Sequence, residues 1–323
     1  MKKKGLLLVN LGSPESYSKK DIRAFLKQFL SDRRVIEKSP LIWKPILYLV
    51  ILPFRSRKNI EAYKSIWTEK GSPLKLYSRK QKEKIEDEID FPVEYSMTYG
   101  EPSISNALKE LIESKNCENI MVLPMFPQFS ATTSAAVFDQ IGQYFKNKRF
   151  IPQIQFINYY FNHPHYIRVL ANSITQHRKK HKKSNLIICS YHGIPKDYSD
   201  KGDPYYEQCI ENTKLLKEEL KLSDKDIITT FQSRLGPQEW LKPYTFDTLK
   251  ALGKQGIQEI DILSPSFSVD CLETLEEIKE EAEEVFISAG GKKLNYIPCL
   301  NDENEHIQFL VSFIKENFHS TSN

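Results

Sequence analysis

Two segments carry residues whose types and spacing suit chemistry. The first is Ser190-Tyr-His-Gly-Ile-Pro195, which puts a histidine directly after an apolar run. An imidazole accepts a proton near neutral pH or binds a divalent metal, as few side chains can. A histidine that only shapes its turn is the plainer reading. The strand end and the Gly193-Ile194-Pro195 punctuation shift the weight toward chemistry at His192. The second segment is Pro265-Ser-Phe-Ser-Val-Asp-Cys-Leu-Glu-Thr274. Asp270 and Glu273 have the Asp-x-x-Glu spacing of a capping box, which by itself needs no chemistry. The helix it opens continues through Glu276, Glu277, Glu280, Glu281, Glu283 and Glu284, with Leu272, Leu275, Ile278, Ala282 and Val285 as the buried stripe. Glu273, Glu277 and Glu281 stand at i, i+4 and i+8, so they form one row, where like charges repel. Such a row reads as a path for protons or a hydrated cation. Glu276, Glu280, Glu283 and Glu284 read as a solvated face. An imidazole facing a carboxylate suits borderline first-row metals such as ferrous iron.

Two further turns are rich in Pro and aromatics. In the segment 230–245, Trp240 offers a flat apolar face and Arg234 a charge; 123–135 contains Pro124-Met-Phe-Pro-Gln-Phe-Ser130. Each reads either as a structured loop or as the wall of a cleft. The segment 5–13 lacks both glycine-rich phosphate-binding signatures, which gives nucleotide binding little support.

Short apolar runs at 5–10, 94–98, 120–123, 154–158, 186–190, 227–231, 260–263 and 294–297 read as strands, and amphipathic stretches at 103–114, 166–177, 204–220, 244–254 and 272–286 read as helices between them. That alternation predicts an α/β protein with parallel sheets flanked by helices. An internal repeat sharpens it. A helix with Leu108-Lys109, the strand 120–123 and a Pro-rich turn match a helix with Leu249-Lys250, the strand 260–263 and the turn Ser264-Pro-Ser-Phe-Ser268. Leu6–Pro14 likewise parallels Leu186–Pro195. Two similar doubly wound lobes follow: residues 1–160, residues 161–303, and a last helix in 304–323 that packs back on the first lobe. In open parallel sheets ligands sit at the carboxyl ends of strands, where both odd turns fall.

Composition excludes several classes. The chain has 323 residues, 40% hydrophobic and 27% charged, with a net charge of +4, which fits a folded globular protein and does not call for nucleic acid. The densest basic run, Arg178-Lys-Lys-His-Lys-Lys183, reads as a solvated helix end. Five cysteines, an odd number with no Cys-x-x-Cys, indicate free thiols in a reducing compartment, and no targeting segment is expected. The apolar run Ile46–Phe54 is too short to span a bilayer. It reads as a buried helix, ahead of a membrane-touching patch or the lip of a pocket.

The segments LLLVNLGSP, LPMFPQFSATTSA, SYHGIP, FQSRLGPQEWLKPYT and SPSFSVDCLETLEE, in this order, resemble the ferrochelatases over essentially the whole chain. The resemblance implies two Rossmann-like lobes with a porphyrin cleft between them. It implies a lyase that inserts ferrous iron into protoporphyrin IX, giving protohaem and two pyrrole protons. His192 and Glu273 would be the central pair, binding the iron or accepting those protons, with Glu277 and Glu281 extending the row. Leu11, Tyr99, Tyr191, Trp240 and Phe267 would line the porphyrin. Residues 42–54 would form an apolar lip, and Arg55, Arg57 and Lys58 would pair its propionates. Leu11 stands where coproporphyrin-type relatives tend to have tyrosine, which favours protoporphyrin; Thr98 stands where many relatives have an arginine that contacts a propionate. Ala131 replaces the internal cysteine of the animal enzymes and the tail His319-Ser-Thr-Ser-Asn323 has none, so no iron–sulfur cluster and no cofactor beyond the substrate Fe2+ are expected. The expected setting is cytoplasmic, with peripheral membrane contact. A chelatase for another metal or tetrapyrrole, and a two-lobed binding protein without catalysis, are the rival readings.

Overall fold

The computed structural model describes residues 3–181, 184 and 186–320. Strand β1 (Lys4–Gly12), β2 (Val93–Tyr99), β3 (Asn119–Pro124) and β4 (Gln153–Phe156) form one sheet in the order β2-β1-β3-β4. Strands β5 (Ile187–His192), β6 (Ile227–Gln232), β7 (Glu259–Leu263) and β8 (Lys293–Tyr296) form another in the order β6-β5-β7-β8. Every pairing is parallel. The second order repeats the first with each number raised by four, which is the internal repeat made structural. The α/β class with two similar parallel-sheet lobes is therefore what the chain folds into. The first compact unit is Met1–Tyr159 with Leu310–Asn323, and the second is Tyr160–Phe309.

Parallel strands covered on both faces are apolar throughout. In β1, Leu6, Leu7, Leu8 and Val9 are all buried, and in β5 so are Ile187, Ile188, Cys189 and Tyr191. In the first unit, Leu7, Val9, Ile120 and Val122 pack against Ile104, Leu108 and Leu111 from one flanking helical segment and Val137 and Ile141 from another. In the second unit, Ile188, Ile260 and Ile262 pack against Leu249 of helix Thr245–Lys254 and against Ile278, Ala282 and Phe286. Each such aliphatic side chain stabilises the fold by about 1.5–3 kcal/mol. The helix over the site is thus held by its own buried stripe.

Two expectations are corrected. The run Ile46–Phe54 is helical, running from helix Pro40–Ile46 through a π-helical turn Leu47–Ile51 into helix Leu52–Ile66, but it is not buried. Within it only Leu47 and Leu52 reach the interior, while Leu49 is 74% and Phe54 71% exposed, as is Leu41 at 88%. A helix presents one stripe to a core, and this run is apolar all round. Arg178 is not a solvated charge: its Nε donates to Oδ2 of the buried Asp261 at 2.5 Å. Lys179, Lys180 and His181 of the same run are exposed, and Lys182 and Lys183 lie outside the described residues. Among the described residues, no helix is long and apolar enough to cross a membrane.

Candidate active site

Strand β5 runs on to His192 rather than stopping at Ser190, and this decides which way each side chain points. Successive residues of a strand face opposite sides. Ile188, Ser190 and His192 share the face that carries helix Thr245–Lys254 and the acidic helix; Tyr191 points the other way. Tyr191 is 0% exposed, and its hydroxyl bonds Asn212 and Thr213, each at 2.9 Å. Tyr191 is therefore a core residue and not a porphyrin contact. Trp240 is largely buried as well. It is only 9% exposed, its Nε1 donates to the Leu235 carbonyl at 2.9 Å, and its ring backs the turn after His192. A Cβ on Gly193 would sit 3.3 Å from that ring and 2.7 Å from the Gln232 carbonyl oxygen, so the turn requires glycine for close approach.

His192 is half-buried and well defined. Its backbone N donates to Ser266 Oγ at 3.1 Å, and its ring Nδ1 lies 2.7 Å from the Gly193 carbonyl oxygen. A carbonyl oxygen only accepts, so Nδ1 carries the hydrogen and Nε2 keeps its lone pair. Nε2 is the atom left to take a proton or a metal. Phe267 is half-buried with its ring 6.2 Å from the imidazole, edge-on.

Glu273 opens a nine-residue π-helix, Glu273–Glu281, which continues as helix Ala282–Ser288. π-Helices are rare and concentrate at functional sites. The turn before it is tied down by Asp270, which is buried. Its Oδ1 accepts from the Tyr296 hydroxyl at 2.5 Å and from Thr274 Oγ1 at 3.1 Å, and its Oδ2 accepts from Asn301 Nδ2 at 2.7 Å. Asp270 thus ties down the turn before the helix through partners from distant segments, and the capping box that its spacing suggested is not formed: the N-cap position is Leu272, with no side-chain cap bond.

Glu277 is half-buried, and burial pushes its carboxyl above the ordinary carboxylate range. Two bonds from Ser233 and the nearby His192 act in the opposite direction, while Glu273 adds to the rise. Glu277 therefore lies within electrostatic reach of both His192 and Glu273, although among the described residues no three His, Cys, Asp or Glu side chains stand close enough together to hold a metal ion. Glu281 is exposed at the far end of the π-helix.

Glu276 is not part of a solvated face. In an α-helix, residues five apart point about 140° away from each other. The wider π-turn, bonded i to i+5, swings Glu281 back over Glu276, and their carboxyls share a hydrogen bond. Burial, then the charges of Glu281, Glu277 and Glu280, push Glu276 up to about 7 from 4.5. The folded chain thus holds a proton between these values that the unfolded chain has released. Stability should fall as pH rises through that window. Denaturation midpoints at pH 5 and 8 should differ less for Glu276→Gln than for the wild type; an unchanged difference would contradict this assignment.

The remaining expected site residues belong to the first unit. Leu11 is half-buried in β1. Tyr99 is corrected: it is buried, its hydroxyl donates to Asp32 Oδ2 at 2.9 Å, and burial raises its phenol pKa, so it holds a segment of the fold instead of lining a ligand. Thr98 is buried too, its Oγ1 donating to the Asn10 carbonyl at 3.2 Å. Arg55 is half-buried and Arg57 exposed on helix Leu52–Ile66, and the side chain of Lys58 lies outside the described residues. In the second unit, Arg234 is exposed, with its guanidinium 4.5 Å from the Tyr244 ring centroid.

Sequence reasoning missed the residues that hold the acidic helix, Gln232 and Ser233 above all. Both lie inside FQSRLGP, but nothing in a serine's type foretells its positive φ of 66°.

Comparison with known proteins agrees with this geometry. The family model described as ferrochelatase matches residues 3–318. A ferrochelatase of Vibrio cholerae is 46% identical over 314 residues, covering 97% of this chain and 98% of the relative. One of Photobacterium profundum is 47% identical with 97% of each chain covered, and one of Yersinia pestis is 45% identical with 98% of each covered. Among solved structures, SirB of Bacillus subtilis with Fe3+ superposes with a TM-score of 0.57 at 14% identity, covering 97% of this chain and 95% of SirB. CbiX, described as the terminal enzyme of sirohaem biosynthesis in denitrifying bacteria, gives 0.52 at 10% identity, covering 97% and 98%. The two structures speak to the fold; the match of the family model across nearly all of the sequence, with relatives this similar from end to end, places the chain in the ferrochelatase family.

Proposed function

We propose that the chain inserts ferrous iron into protoporphyrin IX, forming protohaem and releasing two pyrrole protons, with His192 and Glu273 as the central pair. The observation that carries this reading is the state of His192. Its Nδ1 is committed to the Gly193 carbonyl, so Nε2 is the basic atom, and it stands at a strand end beside the π-helical carboxylates. Iron enters as Fe2+ and displaces two N–H protons, so the site must stabilise a dication and accept protons in one place. An imidazole lone pair and carboxylates meet both needs. Glu277 and Glu281 continue the row along which the ion or the protons travel. Phe267 beside the imidazole supplies an apolar porphyrin contact.

The reading needs no resident cofactor. Ala131 in place of a cysteine supports the lack of an iron–sulfur cluster. A cytoplasmic setting accords with five free, buried thiols. The exposed apolar side chains between Leu41 and Phe54, followed by Arg55 and Arg57, support peripheral contact with an anionic membrane surface. Pelleting with vesicles containing an anionic lipid should weaken when Leu49 and Phe54 are both replaced by serine; equal pelleting of that variant would remove this contact.

The test of function is an anaerobic assay with Fe2+ and protoporphyrin IX, run beside coproporphyrin and beside Co2+ and Zn2+. Appearance of the protohaem Soret band is the expected result. Porphyrin binding with no metal insertion would instead support the non-catalytic reading.

A further inference from the structure

We infer that Ser233, set in place by Gln232, is a positioning residue that orients the Glu277 carboxylate for iron insertion. This inference rests on the proposed function and adds to it a residue outside the His192–Glu273 pair. Ser233 reaches both oxygens of one carboxylate. Its backbone N donates to Glu277 Oε1 at 2.7 Å, and its Oγ donates to Oε2 at 2.5 Å. Two donors on two oxygens fix the rotation of the carboxylate as well as its position. The backbone achieves this only because Ser233 adopts φ +66°, a left-handed conformation that a serine rarely takes. The N–H and the hydroxyl then point the same way. Strain of this kind persists only where the surroundings hold it, and it gathers at functional sites.

Gln232 is what holds it. Its side chain is buried and every polar atom is used. Nε2 donates to the Glu273 carbonyl at 2.8 Å and lies 3.4 Å from Glu277 Oε2. Oε1 accepts from Ser190 Oγ at 2.9 Å and from Ser264 Oγ at 3.3 Å. Its backbone carbonyl accepts from Gly193 N at 2.9 Å. One glutamine thus ties together the ends of β5, β6 and β7 and the first turn of the π-helix. A shift of the His192 turn therefore reaches the carboxylates through Gln232 and Ser233, and the reverse also holds. A simple helix anchor would need only the contact to the Glu273 carbonyl. The second and third donors go to a side-chain carboxylate, which does nothing for the helix backbone.

The experiment compares Ser233→Ala, Ser233→Gly and wild type by steady-state iron insertion, varying Fe2+ and protoporphyrin separately. Both variants lack the hydroxyl, but only glycine relieves the positive φ. Removing one such outer partner is expected to cost about 10–100-fold in kcat/KM for iron. The loss should be alike in both variants, with KM for protoporphyrin within twofold of wild type. Ser233→Ala made in a Glu277→Gln background should add no further loss, because the residue acts through that carboxylate. Recovery by glycine alone would mean that the residue matters only for backbone strain and would overturn the inference. So would an unchanged kcat/KM for iron, or an additive loss in the double variant. A wild type that inserts iron beside an unaffected Ser233→Ala overturns the positioning role alone; a wild type that inserts no iron overturns the proposed function with it.

Discussion

Iron insertion by His192→Ala should be slower than wild type by about 10²–10⁴-fold, the range expected when a positioned general acid–base group is removed. The same substitution should leave the fold intact. The imidazole is half-exposed, its side-chain hydrogen bond among the described residues runs to the neighbouring Gly193 carbonyl, and the backbone bond to Ser266 survives in alanine. The fall should appear in kcat more than in KM for protoporphyrin, since the proposed role sets the ring at the reacting centre and not against the bulk of the macrocycle. Added imidazole should restore part of the rate, because deletion leaves a slot open to solvent. The measurement is the initial rate of protohaem formation under anaerobic conditions. A near wild-type rate in the alanine variant would remove His192 from the mechanism.

Glu273→Gln should be nearly as damaging, at about 10²–10³-fold, the usual cost of losing one group that stabilises charge in the reacting state. The change is close to isosteric. The Glu273 backbone carbonyl still accepts from Gln232, so the π-helix keeps its first turn. What disappears is a negative charge and a proton acceptor. Its removal also lowers the repulsion on Glu277, whose carboxyl Glu273 pushes upward, so the neighbour should become a stronger acid. Glu281→Gln, exposed at the other end of the row, should have a far smaller effect. Equal losses at Glu273 and Glu281 would argue for a general field of the acidic helix and against a specific role for Glu273.

Much of the architecture was legible in the linear sequence. Eight apolar runs became eight strands, because a parallel strand buried on both faces has little choice but Ile, Leu and Val. The repeat foretold two sheets of the same order, since similar segments bury similar faces. The Gly193-Ile194-Pro195 turn marked His192, and the Asp270-x-x-Glu273 spacing marked where the acidic helix begins. These signals are local, set by burial along a strand or by unpaired groups at a helix end.

The tertiary structure decided what depends on which face a residue presents and who waits there. A two-residue shift in the end of β5 turned Tyr191 into the core and left His192 at the site. The resemblance set Tyr99 and Trp240 beside a ligand; the fold ties the Tyr99 hydroxyl to Asp32 and packs the Trp240 ring behind the Gly193 turn. The apolar run 46–54 looked like core, yet no second face of the fold covers it within its own unit. The spacing of the glutamates was plain, but an α-helical count separates Glu276 from Glu281, and only the π-helix joins them. His192 and Glu273 were visible as residue types at telling positions. The tautomer of the one is set by a bond to the next residue, Gly193, which residue types do not reveal; the tie of Gln232 to the Glu273 carbonyl and of Ser233 to Glu277 joins residues about forty positions apart, which periodicity along the chain does not record.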